Sequence, residues 1–391
     1  MRVRVVWATE LLGYDFGPHH PMAPLRLEMT WRLAGDLGLV ELDQVELVGA
    51  EPASDATIER VHTADYVAAV RRAGSTLQAD PAHGLGTEDN PVFAGMHEAA
   101  ARIVGASVDQ ALAVWRGDAD HAVNLAGGMH HAMADHASGF CLYNDAAAAI
   151  SALLDAGARR VAYVDVDAHH GDGVERTFWD DPRVLTCSIH ESGHSLFPGT
   201  GHPGDHGGPS ARGHAVNVPL PAGTSDAKWL RAVESVVPAL VRRFAPDVVV
   251  SQHGCDAHAL DPLTNLAVSI DAQRRVQALV HDLAHEVAGG RWLALGGGGY
   301  AVARVVPRVW THLIGIAAHA PVPLDAPVPE VWREAGERVF GFPMPTLMGE
   351  GSVVRVRDWS EGYDPADDVD RAILAARNAA FAWHDLDPLY D

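Results

Sequence analysis

The chain has 391 residues, 48% of them hydrophobic and 20% charged, a balance that fits a soluble globular protein with a large core. A formal net charge of −22 argues against non-specific binding to nucleic acid or to an anionic membrane surface, and no apolar run reaches the about 18 residues that suggest a transmembrane helix. Three cysteines, Cys141, Cys187 and Cys255, do not make a disulfide framework and point to a reducing cytoplasm.

The first apolar run, 2–8, reads as a short strand rather than a signal peptide. A loop at 13–24 then carries His19, His20 and three prolines. An Ala-rich periodic stretch over 97–115 predicts a helix, and a strand follows at 121–125. An Asn-Asp cap opens a helix over 145–155, and strands are expected at 160–166 and 184–189. The loop 190–214 is rich in Gly, His and Pro, and loops of that length are usually functional lids or rims. A strand at 215–219, a helix over 226–244, a strand at 247–252, a helix over 272–287 and a strand at 292–295 come next. Four glycines at 296–299 lead into a helical stretch over 301–318. This alternation predicts an α/β fold, a single domain over 1–320 whose central, mostly parallel sheet is flanked by helices. A Pro-rich linker at 321–329 and one amphipathic helix at 366–382 make 321–391 a C-terminal helical extension packed on that domain.

The densest chemistry lies in Val161-Ala162-Tyr163-Val164-Asp165-Val166-Asp167-Ala168-His169-His170-Gly171-Asp172. In a strand, alternate side chains share a face, so Asp165, Asp167 and His169 point the same way. They stand where a buried parallel strand ends, which is where open α/β sheets bind ligands. A carboxylate and an imidazole two residues apart can hold one divalent metal ion. Asp256, at the end of the strand 247–252, is the candidate third ligand. Its alternatives are a helix N-cap role and ligation by Cys255, whose side chain alternates to the opposite face.

A hydrolase also needs a base and an acid. Gly127-Gly128-Met129-His130-His131 offers two imidazoles in a loop whose glycines allow close approach, with Asp165 and Asp172 as acids to fix them. The run Leu295-Gly296-Gly297-Gly298-Gly299-Tyr300 lacks the Lys-Ser/Thr pair of a phosphate loop. It reads either as an arm carrying the Tyr300 hydroxyl to a substrate carbonyl or as a flexible loop with Tyr300 in the core. Phe140, in Gly139-Phe140-Cys141, and Phe197, in Leu196-Phe197-Pro198-Gly199-Thr200-Gly201, are candidate walls of an alkyl channel or core residues. The remaining histidines, including His62, His83, His97, His136, His281 and His285, read as structural or solvent-facing.

Assembled, these motifs make the chain resemble the zinc-dependent histone deacetylase superfamily of the arginase/deacetylase fold, and within it the bacterial acetoin-utilisation-type deacetylases. The resemblance rests on His20-Pro21-Met22 with Pro24 and Arg26, Glu88-Asp89-Asn90-Pro91-Val92-Phe93, and the Gly-Gly-x-His-His and Gly-Phe-Cys runs. It continues through Asp-x-Asp-x-His-His-Gly-Asp, Phe-Pro-Gly-Thr-Gly, Gly-Cys-Asp256 with Asp261, and the glycines before Tyr300, in family order over 14–300. His190-Glu191-Ser192-Gly193 and the tail carry the narrower match.

The resemblance implies that Asp167, His169 and Asp256 ligate one zinc ion. It implies that His131, oriented by Asp172, is general base and acid, and that His130, paired with Asp165, is its electrostatic partner. Tyr300 would polarise the carbonyl. Asp89 would grip the substrate backbone, and Gly139, Phe140, Phe197 and Leu263 would form the acyl-lysine tunnel. Arg26 would serve an internal acetate channel. A structural potassium ion would fall at Asp165, Asp167, His169, Ser188 and Ile189, and an outer cation at Phe178, Asp181, Val184 and His214. Met129 departs from the family pattern, where Trp or Leu is common, and would widen the pocket floor.

The expected activity is metal-dependent removal of acetyl from the Nε of lysine in proteins, releasing acetate, in a cytoplasmic enzyme of acetate and acetoin metabolism. Expected partners are acetylated protein lysines, with an acyl-CoA synthetase as the family-level substrate; neither nucleic acid nor membrane is expected. Two oxygens and one nitrogen suit ferrous iron as well as zinc. Other readings are an amidohydrolase of acetylpolyamines, an arginase-like binuclear manganese ureohydrolase, and an acyl-lysine or acetoin-linked binding module without catalysis.

Overall fold

Apolar runs buried along their whole length build the middle of one sheet. The computed structural model describes residues 1–391 and contains eight strands. They are β1 (Val3–Val6), β2 (Val45–Val48), β3 (His121–Asn124), β4 (Val161–Asp165), β5 (Val184–Glu191), β6 (Ala215–Leu220), β7 (Val248–Gln252) and β8 (Trp292–Leu295). Their order across the sheet is β2-β1-β3-β8-β7-β4-β5-β6, and every pairing is parallel. All residues of β3, β4, β7 and β8 are buried, as expected when helices cover both faces. This is the arrangement of the arginase/deacetylase fold.

The order sets the position of the site. The chain lays down β1, β2 and β3, then starts β4 at a distance and extends outward through β5 and β6. It returns with β7 beside β4 and closes the gap with β8 beside β3. Asp165 is level with Gln252, Gln252 with Leu295, and Leu295 with Asn124. Four adjacent strands therefore end on one line, and the loops beyond that line meet.

Local chemistry explains most of the helices. The Asn144 side chain accepts from Ala147 N at 2.9 Å and starts helix Asp145–Asp155. The Ser269 hydroxyl does the same for helix Ile270–Ala288, which ends at Gly289. Helix Val306–Ala317 begins five residues later than its hydropathy predicts. Pro307 occupies its first turn, and 301–305 turn out of the glycine arm. The edge strand β2 and the helices Leu25–Asp36, Ala64–Thr76 and Glu330–Phe340 were not anticipated. None of the residues of β2 is fully buried, so it lacks the apolar run that marks the inner strands.

Residues 321–391 fold back onto the same core. Trp332, fully buried, donates from its indole to Met29 O at 2.9 Å. Arg231 of helix Asp226–Phe244 forms a two-pronged pair with Asp370 of helix Asp368–Ala380, at 2.6 and 3.0 Å. Glu350 accepts from His258 at 3.0 Å and pairs with Arg308 at 3.3 Å. The extension thus reaches a residue two positions beyond Asp256.

Candidate active site

Beyond the ends of β4 and β7, Asp167, His169 and Asp256 bring one ligand atom each within 4.8 Å of the others, and all three are buried. Each carboxylate is fixed by backbone or side-chain donors and turns one oxygen into the cluster. Asp167 Oδ2 accepts from Gln252 Nε2 at 2.7 Å and from Gly298 N at 2.8 Å, while Oδ1, held by His169 N at 2.9 Å, faces the cluster. Asp256 Oδ1 accepts from Ala168 N at 2.8 Å, which leaves Oδ2. His169 Nδ1 lies 3.0 Å from Asp167 Oδ1 and 2.9 Å from Asp256 Oδ2.

Two buried carboxylates facing one imidazole need positive charge between them. Burial opposes ionisation of His169, but Asp256 and Asp167 outweigh it and hold its pKa well above the usual histidine value. Burial and then the charge of Asp167 raise Asp256 to about 7. A proton shared at this point does the work of a cation. The donor set of two carboxylate oxygens and one imidazole nitrogen fits a divalent metal ion and leaves positions open for water and substrate. Gly298 is required here: a Cβ on it would come within 2.2 Å of Asp256 Oδ2 and 2.8 Å of Asp167 Oδ2.

The loop after β3 supplies the histidine pair. Asp145, buried at the start of its helix, accepts from Gly128 N at 3.0 Å and Met129 N at 2.8 Å and so fixes the loop. His130 Nδ1 is 2.8 Å from Asp165 Oδ2, and His131 Nδ1 is 2.7 Å from Asp172 Oδ1. A carboxylate only accepts, so each Nδ1 carries the proton, and Nε2 of His131 is left as an acceptor when the ring is neutral. Burial works against charge on His130, but Asp165 and Asp167 overcome it and raise the ring to about 9. For His131, burial and the neighbouring His130 prevail over Asp172 and lower it to about 4.

Tyr300 ends the glycine arm beyond β8. Its N donates to Asp261 Oδ2 at 2.8 Å, and Leu263 N donates to Asp261 Oδ1 at 3.0 Å, so one carboxylate positions both residues. Burial, then the charges of Asp256 and Asp167, push the Tyr300 phenol well above its usual pKa, and it stays a donor. Arg26 lies behind the arm. Its guanidinium donates to Gly297 O at 2.9 Å and Gly299 O at 3.2 Å, beside a small cavity that Met22 and Met129 also line.

A cavity of about 200 Å³ leads from the surface to these groups. Asp89, Gly139, Phe140, Leu196, Phe197 and Leu263 line it, and His131, His169 and Tyr300 close its inner end. Phe197 is 43% exposed at the mouth, and its ring lies 5.0 Å from that of His131; the Phe140 ring lies 5.7 Å from that of Tyr300. Gly139 has φ +51°, and a Cβ there would come within 2.5 Å of His131 Cδ2, so the wall beside His131 admits only glycine.

The structure therefore brings together every residue named from the sequence for metal, catalysis and tunnel. Of the residues matched to potassium, Asp165 is level with Ser188 across β4 and β5, Ile189 follows, and Ser188 Oγ lies 2.8 Å from His190 Nδ1. At the outer cation position, the Asp181 carboxylate is taken by Arg183. Sequence reasoning missed the supporting residues Gln252, Asp145 and Leu196 and the positioning role of Asp261. Asp145 and Asp261 carried a signal, since each is an acid beside a glycine-rich or ligand-bearing motif. Gln252 and Leu196 had none.

Comparison with known proteins agrees with this geometry. Residues 20–317 match the family described as histone deacetylase domain. The chain is 45% identical over 311 residues to acetoin utilization protein AcuC of Bacillus subtilis (strain 168), covering 79% of this chain and 80% of that protein. It is 37% identical over 344 residues to acetoin utilization protein AcuC of Staphylococcus xylosus, covering 87% and 89%. It is 39% identical over 311 residues to the protein of the same name from Staphylococcus aureus (strain MSSA476), covering 79% of each.

Proposed function

The chain belongs to the histone deacetylase family, and on that footing we propose that it hydrolyses the acetyl amide of Nε-acetyl-lysine in proteins and releases acetate. One juxtaposition carries the proposal. A channel walled by Phe140 and Phe197 ends on a neutral histidine, a phenol donor and the Asp167-His169-Asp256 cluster. A cavity of about 200 Å³ suits an acylated alkyl chain entering end-on, with its amide at the inner end.

Asp167, His169 and Asp256 would hold one divalent metal ion, zinc or ferrous iron, which when bound supplies Lewis acidity to an amide carbonyl and acidity to a water. His131 accepts the proton of the attacking water at Nε2, while Asp172 fixes Nδ1 and steadies the imidazolium. The Tyr300 hydroxyl donates to the carbonyl oxygen as it gains negative charge. His130, charged and held by Asp165, adds a positive field beside that centre. His131 then returns its proton to the departing lysine amine. Asp89, exposed at the mouth, accepts from the substrate backbone. Arg26 lines the small cavity behind the arm, where acetate would leave.

A potassium ion at Asp165, Asp167, His169, Ser188 and Ile189 would brace the strand ends. The names of the relatives favour a role in acetoin and acetate metabolism, with an acetylated acyl-CoA synthetase as one protein substrate. No helix is long and apolar enough to cross a membrane, in keeping with a cytoplasmic location. A binuclear ureohydrolase centre is disfavoured, because Asp165, the carboxylate two residues before Asp167, is committed to His130 and Tyr163 at 2.8 Å each.

The test is acetate release from an acetyl-lysine peptide by zinc-loaded protein, beside the Tyr300→Phe variant and with an acetylpolyamine as the competing substrate. Release from the peptide that collapses in the variant supports the proposal. Turnover of the polyamine alone transfers the chemistry to small molecules.

A further inference from the structure

Four histidines converge at the other end of the sheet. His121 opens β3, and it is level with Trp292, the first residue of β8. The catalytic loops follow the last residues of the same strands. His281 and His285 are one turn apart on helix Ile270–Ala288. His319 follows helix Val306–Ala317 with φ +52°, a conformation uncommon for histidine.

The Nε2 atom of His121 is 3.1 Å from Nε2 of His285 and 3.0 Å from Nε2 of His319, and Nε2 of His281 is 3.4 Å from that of His319. One nitrogen of each ring lies within 4.8 Å of the other three. Four imidazoles around zinc at about 2.0–2.1 Å stand about 3.3 Å apart along the edges of the tetrahedron. Three of the six separations here already match that edge.

Left to itself the cluster is poorly satisfied. His121 is fully buried, its Nδ1 has no partner, and its only side-chain hydrogen-bonding neighbours are imidazole nitrogens. Nitrogen faces nitrogen, and each close pair can share at most one proton. Asp282 accepts from His281 Nδ1 at 3.0 Å, the outer partner that commonly fixes a ligating histidine with its other nitrogen free. Gly290 lets the end of the helix close on the cluster: a Cβ there would lie 3.1 Å from His285 Cε1.

We propose that His121, His281, His285 and His319 bind a second divalent transition-metal ion, of the borderline class that imidazole prefers, with zinc as the test ion. Four protein ligands close the coordination sphere, so the site is structural. It ties the start of β3 to helix Ile270–Ala288 and to the chain leaving helix Val306–Ala317.

The experiment counts metal in untagged full-length protein after zinc loading and desalting. Two zinc ions per chain are expected in the wild type. One is expected in His281→Asn/His285→Asn, and one in Asp167→Asn/Asp256→Asn. His319→Ala, at an exposed position, serves if the double histidine variant fails to fold. Cobalt loading of Asp167→Asn/Asp256→Asn should give the visible absorption of a tetrahedral nitrogen site, and zinc should raise its melting temperature. A single zinc ion in the wild type, lost with Asp167 and Asp256 and unaffected by the histidine changes, would overturn the proposal. So would two ions retained in every variant.

Discussion

The rings of His130 and His131 lie 4.0 Å apart between centroids, and each rests on its own acid. Burial disfavours charge on both. Asp165 and Asp167 nonetheless keep His130 cationic to about 9, while that cation helps hold His131 neutral down to about 4. Two consecutive residues thus differ in charge through their surroundings alone, as the proposed roles of electrostatic stabiliser and base require.

This relationship predicts opposite responses. Asp172 raises the His131 pKa, so Asp172→Asn should move the acidic limb of kcat/KM to lower pH. His130 lowers it, so His130→Gln should move the limb to higher pH. Replacing His131 itself by Ala should cost about 10²–10⁴-fold in kcat. pH–rate profiles of the metal-loaded variants check this, and limbs that move the same way in both would contradict the division of roles.

Tyr300 has its backbone fixed by Asp261 and its hydroxyl free to serve substrate. Tyr300→Phe should lower kcat by about 10²–10³-fold with little change in KM. Asp261→Asn keeps the phenol but loosens the arm, and an intermediate loss is expected. Steady-state kinetics on one acetyl-lysine peptide distinguish the two.

Metal uptake should release protons. With His169 held well above the usual histidine range, the metal-free cluster carries its proton at pH 7. Filling the site with zinc should therefore expel at least one proton per chain, read with an indicator dye in weak buffer. Asp167→Asn/Asp256→Asn should abolish that release, because no carboxylate pair then holds the proton. Chelation of wild-type protein should abolish activity, and zinc should restore it.

Glu350 makes stability depend on acid. Burial alone would raise its pKa, but the bond from His258 and the nearby Arg308 lower it to about 2, from an ordinary 4.5. A depressed carboxylate contributes fully above its unfolded value and loses that contribution as pH falls through the folded one. Unfolding free energy should therefore drop between pH 4.5 and about 2, and Glu350→Gln should flatten that part of the curve. Urea titrations at stepped pH measure it.

The Arg231–Asp370 pair is nearly inaccessible on both sides. Asp370→Ala would strand a buried guanidinium and should cost about 3–5 kcal/mol in unfolding free energy. Chemical denaturation measures the loss. A cost under about 1 kcal/mol would place the pair among exposed ones.

Much of the site was legible because it lies at strand ends. Asp165 closes an uninterrupted apolar run, and Asp167 and His169 follow in the turn just beyond it rather than on the strand face that alternation predicts. His130 and His131 stand out as a tandem pair after glycines. What could not be read was support supplied by groups without a residue-type signature. The Gly298 amide clamps Asp167, and any residue would bring an amide. The four-histidine cluster was hidden by separation: only His281 and His285, four apart on one helix, were neighbours in sequence. Glu350 and Asp370 resemble ordinary solvated acids, and their basic partners lie far along the chain. Strand β2 escaped because an exposed edge needs no hydrophobic run.

The strand order has a consequence for the chain as it emerges from the ribosome. Until residue 247 has been made, the sheet consists of two separate trios, β2-β1-β3 and β4-β5-β6, with no pairing between them. The last two strands to be synthesised fill the gap, and they bring Asp256 and the glycine arm with them. Half-made protein holds the tandem histidines and the Asp-x-Asp-x-His run after strands that do not pair with each other. The final assembly is thus a long-range closure, the slow kind of folding step, and hydrolytic capability arrives with it all at once.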